Sequence, residues 1–188
     1  DPREHERIVE FIGRIMPSLS SRVKLYDKDY PIFEEYGVQG ELDKALRSKV
    51  WLKSGGSIVI NQTEALVAID VNTGRYVGKK TAGRLEDTIL KTNLEAVKEV
   101  VYQLRFRNIG GIIIIDFIDM ERESNREKVF GAFREALRYD KAKTNILKIS
   151  ELGLVEMTRK RTRENLIQVL CEPCSYCEGR GYLKAKVS

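Results

Sequence analysis

Ile112-Ile-Ile-Ile-Asp-Phe-Ile-Asp119 is the stretch from which the fold can be read. Four successive isoleucines leave no polar face, so this is a strand buried on both sides, and it stops at Asp116. Ala65-Leu-Val-Ala-Ile-Asp70 repeats the pattern: a nearly all-apolar run that ends on an aspartate. Between the two runs lies a helix at about 86–107, with Leu94, Val97, Val101 and Leu104 on one face. Upstream, Val50–Leu52 and Ser57–Ile60 flank Ser54-Gly-Gly-Ser57, which is turn chemistry, so they form a hairpin. Downstream come a helix at 123–139, with Val129, Phe130, Phe133 and Leu137 inward, and a strand at Thr144–Ile149. Residues 157–170 are basic at their start and helical toward their end. Strands alternating with helices predict an α/β domain. At the other end of the chain, 6–16 reads as a helix with Ile8, Phe11, Ile12 and Ile15 on one stripe. Val23–Tyr26 reads as a short strand and 39–48 as amphipathic.

The totals agree with a folded chain. Its 188 residues suit one domain, or one domain with an appendage. At 42% hydrophobic and 32% charged it can build a core and is not a disordered composition. No apolar run approaches the roughly 20 residues that span a bilayer. Residues 1–20 carry Arg3, Glu4, Glu6, Arg7 and Glu10, which breaks any signal-peptide core. A net charge of +5 permits a polyanionic partner without requiring one. His5 is the sole histidine, which argues against His-based acid–base chemistry and a Cys–His dyad.

Ligands in α/β sheets bind at the carboxyl ends of strands. If the two apolar strands are neighbours, Asp70 and Asp116 converge there, and two such carboxylates repel unless a cation lies between them. Oxygen-only ligands suit Mg²⁺ or Mn²⁺, which lower the pKa of bound water and neutralise charge at phosphorus without any histidine. Asn72, two residues past Asp70 on an extended segment, shares its face and can orient a ligand or the attacking water. Strand-terminal aspartates also cap turns or pair with arginine, and the residues alone leave both readings standing. Asp119 is not distinguished from Asp116 by spacing.

Cys174-Ser-Tyr-Cys177 is half of a tetrahedral zinc site, and Cys171 is a third thiol nearby. The simplest completion is a second pair from another copy of the chain, giving a zinc-linked dimer. Arg159-Lys160-Arg161 with Arg163, Lys141 with Lys143, and Lys79-Lys80 with Arg84 are cationic clusters suited to phosphate or to plain solvent. Tyr76 in the basic loop at 74–84 and Phe117 beside the acids could stack on a base.

Several motifs stand in one order: Gly55–Ile60, Thr63–Ala65, Ala68-Ile-Asp-Val-Asn72, Thr92-Asn-Leu-Glu-Ala96, Gln103–Arg105, Gly110-Gly111, Ile115-Asp-Phe-Ile-Asp-Met120, Gly153–Met157 and the cysteine pair. From about Val23 onward the chain resembles the catalytic region of the ribonuclease E/G family. Leu154–Glu164 and the Cys171-Glu-Pro-Cys174 context lean toward the ribonuclease G branch.

The resemblance implies a single-strand-specific endoribonuclease of RNA processing and decay that leaves a 5′-monophosphate. The expected setting is the bacterial cytoplasm, although organelle versions of the family exist. It implies Mg²⁺ on Asp70 and Asp116 with Asn72 in support, zinc on Cys174 and Cys177 shared between protomers, and a preference for 5′-monophosphorylated RNA involving Lys143. Arg159, Lys160 and Arg161 are the further RNA-binding candidates. It also implies part of an RNase H-like subdomain at 1–49, a DNase I-like catalytic subdomain at 50–170 and a zinc-link segment at 171–188. The family's S1 domain is missing, so the chain is expected to be a fragment. The loop around Tyr76–Lys80 is longer than in the ribonuclease E branch. The alternative is a non-catalytic RNA-binding or zinc-assembled oligomerisation module.

Overall fold

The computed structural model describes residues 1–74, 82–150 and 153–185, without the side chains of 82–84 and 148–149. The basic loop with Tyr76, Lys79 and Lys80, and the side chain of Arg84, lie outside the described residues. The chain divides into two compact units, Asp1–Asp43 and Lys44–Ser188.

The first unit opens with helix α1 (Pro2–Ile15), capped by the Asp1 carboxylate, which accepts from the Arg3 N–H. A 3₁₀ turn (Pro17–Arg22) and the short helix α2 (Ile32–Glu35) follow. Helix α3 (Val38–Ala45) crosses the boundary in sequence. The strand expected at Val23–Tyr26 is not formed, because no neighbouring strand pairs with that segment. Ile8, Phe11 and Ile15 of α1 stay exposed.

The second unit is one mixed sheet with helices on one face. Its strands are β1 (Lys49–Trp51), β2 (Ser57–Gln62), β3 (Leu66–Asn72), β4 (Gly111–Asp116), β5 (Thr144–Ile149) and β6 (Val155–Arg159). They lie in the order β1-β2-β3-β4-β6-β5. Among the described residues only β3 and β4 run parallel, with the crossover helix α4 (Ala82–Phe106) between them in sequence. Helix α5 (Glu123–Leu137) packs beside α4, and α6 (Leu166–Leu170) closes the fold with an Asn165–Gln168 capping box. The basic stretch beginning at Met157 is therefore strand β6 rather than the approach to a helix. Its burial alternates with period two, and Met157 is wholly buried.

Burial alternates along β3 as well. Val67, Ile69 and Val71 face the helices, while Ala68, Asp70 and Asn72 face away. Ile113 and Ile115 join the inner side, against Val97, Val100 and Leu104 of α4 and Phe133 of α5. Each such side chain contributes about 1.5–3 kcal/mol on burial. Ile112 on the opposite side is 52% exposed, so the isoleucine run is buried on one face only. Among the described residues, no helix is long and apolar enough to cross a membrane.

Candidate metal centre and its supports

Asp70 does not end its strand: pairing of β3 with β2 continues through Asn72, opposite Ser57. Asp70 is instead the direct cross-strand partner of Asp116 on parallel β4. Adjacent strands are about 4.8 Å apart, so the two carboxylates stand side by side on the face away from the helices. The Asn72 side-chain amide donates to Asp70 Oδ2 at 2.8 Å. A shallow depression of about 290 Å³ is lined by Asp70, Asn72, Thr73, Asp116, Phe117 and Asp119.

Partial loss of water around Asp116, then the negative charges of Asp70 and Asp119, push its carboxyl above the usual range. Among the described residues neither Asp70 nor Asp116 forms an ion pair. Two uncompensated carboxylates with an amide beside them are a donor set for a hard divalent cation. Among the described residues no third His, Cys, Asp or Glu completes a metal cluster. That spareness suits Mg²⁺, which keeps several waters and is held by one or two carboxylates plus phosphate oxygens.

The segment after Asp116 is held from beneath by helix α4. The fully buried Asn93 donates through its amide to the Ile118 carbonyl at 2.8 Å and accepts the Ile118 N–H at 3.1 Å. Glu86, also buried, accepts from the N–H groups of Glu121 and Arg122 and from the Asn125 amide. The Asn125 bond, followed by the Arg122 N–H, holds the Glu86 carboxyl below its usual range despite burial. Arg126 Nη1 adds bonds to the Met120 and Glu121 carbonyls. At the other strand, Gly56 and Gly74 lie against the end of β3. A Cβ at Gly56 would fall 2.6 Å from the Asn72 carbonyl oxygen, and one at Gly74 would fall 2.3 Å from that of Gly55. Neither turn tolerates a side chain, so the backbone around Asn72 is fixed.

The model of the ribonuclease E/G family matches residues 1–162. The chain belongs to the ribonuclease E/G family. It is 49% identical to ribonuclease G of Salmonella typhimurium over 180 residues, covering 96% of this chain and 36% of that protein. It is 50% identical to ribonuclease G of Haemophilus influenzae over 177 residues, with coverage of 94% and 35%. Against ribonuclease E of the same organism the identity is 40% over 183 residues, with coverage of 97% and 19%. The chain thus spans about a third of the length of the ribonuclease G relatives.

In this member of the ribonuclease E/G family the basic candidates lie away from the acids. Arg159 pairs with Gly111, at the start of β4, and Lys160 N–H donates to the Lys143 carbonyl. Lys143, Lys160 and Arg161 are exposed there, at the end of the sheet opposite Asp116. Five residues of strand at about 3.3 Å each separate the two ends by roughly 17 Å. Arg159, expected as an RNA-binding residue, is instead buried: its guanidinium grips Asp140 at 2.7 and 3.0 Å and donates to the Ile109 carbonyl. It has no free edge for a phosphate. Burial alone would raise the Asp140 carboxyl, but the Arg159 fork, the Ala142 N–H and nearby Arg105 outweigh it and hold it below its ordinary value.

The cysteine pair occupies a tight turn. Glu178 N–H donates to the Cys174 carbonyl and Gly181 N–H to Cys177 Sγ at 3.4 Å. The amide N–H groups of Cys177 and Tyr176 lower the Cys174 thiol below its usual value. Thiolate-favouring amides of this kind suit a metal ligand. Cys171 is exposed at the end of α6, and all three thiols are free.

Asn93 and Glu86 are absent from the residues singled out by sequence. Their signal is visible in retrospect. Asn93 lies inside the Thr92–Ala96 motif, four residues before Val97 and on the helix's apolar stripe, and a polar residue there requires buried partners.

Proposed function

We propose that the chain is the catalytic core of a Mg²⁺-dependent, single-strand-specific endoribonuclease of bacterial cytoplasmic RNA processing. Its product would carry a 5′-monophosphate. One observation carries the reading: Asp70 and Asp116 stand directly side by side, without a counter-charge among the described residues, with Asn72 bonded to Asp70. The family membership and the ribonuclease G and ribonuclease E relatives support it. Asp70 and Asp116 hold the cation. Asn72 restrains Asp70 and offers its carbonyl oxygen to a water or ribose hydroxyl. Bound there, Mg²⁺ supplies charge neutralisation at phosphorus and acidification of a water. The protein positions the phosphodiester over the open sheet face.

In the same reading, residues 50–170 form a DNase I-like catalytic subdomain, 1–49 are part of an RNase H-like one and 171–188 are a zinc-link segment. Lys143 contacts the 5′-monophosphate of the substrate. Cys174 and Cys177 share a zinc with the same pair of a second protomer, because a tetrahedral site needs four ligands.

The deciding experiment offers a 5′-monophosphorylated, AU-rich single strand with Mg²⁺. Cleavage should disappear with EDTA and with Asp70→Asn, while circular dichroism stays that of the wild type. Cleavage at the wild-type rate by Asp70→Asn overturns the reading and leaves a binding or oligomerisation module. One zinc per two chains, lost together with the dimer on Cys174→Ser, is the expected result for the tail. One zinc per chain would refute sharing.

A further inference from the structure

We infer that Trp51 is a stacking platform for a base of the RNA strand whose phosphate lies at Asp70 and Asp116. The inference rests on the endoribonuclease reading and adds a subsite to it. Cross-strand partners share a face, so the register defines two rows across the sheet. One row is Lys49, Val59, Asp70 and Asp116; the next is Trp51, Ser57 and Asn72. Val50 and Leu52 turn inward to the core, so alternation along this edge strand starts the Trp51 side chain on the face that carries the acids, at the rim of the sheet.

Trp51 is 67% exposed, although an indole is the side chain with most to gain from burial. Lys49 Nζ sits 4.2 Å from the ring centroid. That cation lies over the indole, and two-thirds of the side chain stays accessible. Trp51 also borders a groove of about 850 Å³ against α4. The groove's own charges, Asp87, Lys91, Lys98 and Glu99, are balanced in sign, and Glu95 is bonded to the N–H groups of Lys53 and Ser54. Nothing there selects a ligand of one charge.

The occupant follows from continuity with the acids. Two strand spacings of about 4.8 Å put the Trp51 row roughly 10 Å from Asn72, within reach of a base flanking the bound phosphate. The β2 residues between, Ser57 and Val59, bear no charge to repel a phosphate chain. Lys49 supplies an ammonium where that chain would pass. Stacking on an indole accepts any base, which matches single-strand binding without hydrogen-bond readout.

Trp51 is the chain's single tryptophan, so its fluorescence reports on this position alone. The probes are an oligouridylate and an abasic ribose-phosphate oligomer of equal length, titrated in EDTA to prevent cleavage. The oligouridylate should quench the indole, and the abasic oligomer should leave it unchanged. Trp51→Ala should weaken oligouridylate binding roughly tenfold, and Trp51→Phe should restore most of it. In cleavage assays with Mg²⁺, Trp51→Ala should raise KM and spare kcat. Asp70-dependent cleavage with an unquenched indole and a wild-type KM in Trp51→Ala overturns the inference alone. Equal quenching by the abasic oligomer also overturns it, since the ring then senses backbone. Absence of both RNA binding and cleavage in the wild type sinks the endoribonuclease reading and this one with it.

Discussion

The two ends of strand β4 carry charge in opposite ways. At its start, Arg159 and Asp140 are both buried, paired through two hydrogen bonds, and further satisfied by the Ile109 carbonyl and the Ala142 N–H. At its end, Asp70 and Asp116 are exposed, alike in sign and without a counter-charge among the described residues. A compensated buried pair holds structure, and removing one partner is costly because the other charge stays buried. An uncompensated exposed pair is a cost that a ligand can relieve. Charge type alone did not separate the two cases; the neighbours did.

Substitutions at the two ends should have opposite effects. Asp116→Asn should lower Mg²⁺-dependent cleavage by about a thousandfold, in the range for losing a pre-placed electrostatic group. It should leave the metal-free melting temperature unchanged or raised, because it removes repulsion with Asp70 and Asp119. A lowered melting temperature would show that the acids are structural. Arg159→Ala should do the reverse and destabilise by about 3–5 kcal/mol in denaturant titration. The pH dependence has a definite sign. Asp140's folded value lies below its ordinary 3.8. Its contribution is therefore complete above that value and is lost as pH falls through the folded one. Arg159→Ala should remove that acid-side loss.

Much of this was legible. The apolar runs ending at Asp70 and Asp116, the hairpin at Ser54–Ser57 and both long helices announce themselves by period and turn chemistry. The register that pairs Asp70 with Asp116 was conditional on the strands being neighbours, and the crossover helix makes them so. The helical end of 157–170 is legible and forms α6, but strand β6 is not, because Arg159 and Lys160 look like a solvated run. Only the fold supplies Asp140 to bury one of them. Asn93 and Glu86 are not legible because their partners, backbone groups from Ile118 to Arg122 and the Asn125 amide, are distant in sequence.

Asn93 and Glu86 act on the acidic end of the sheet through its backbone. Asn93→Asp keeps the shape and the acceptor for the Ile118 N–H but loses the donor to the Ile118 carbonyl. Partners beyond the ligands typically affect metal affinity by 10–100-fold. Mn²⁺ titration followed by electron paramagnetic resonance should show a loss in that range. Val100→Ala, a core truncation on the same helix, serves as the stability-matched control and should bind Mn²⁺ normally. Equal losses in both variants would reduce Asn93 to a packing role.

The smallest effect tests the basic end. Lys143, Lys160 and Arg161 are exposed, so each phosphate contact they make is screened and salt-dependent. Lys143→Ala should weaken RNA binding modestly and reduce the slope of log affinity against log salt by about one. It should do so for 5′-monophosphorylated strands and not for 5′-hydroxyl ones, since only the former place extra charge there. Strand geometry adds a length condition. The basic end lies roughly 17 Å from the acids by a rise of about 3.3 Å per residue. An oligonucleotide too short to span that distance should therefore be indifferent to Lys143→Ala whatever its 5′ group. Sensitivity in a dinucleotide would mean that the 5′ phosphate is read beside the acids, and the separation of the two ends would then have no bearing on substrate choice.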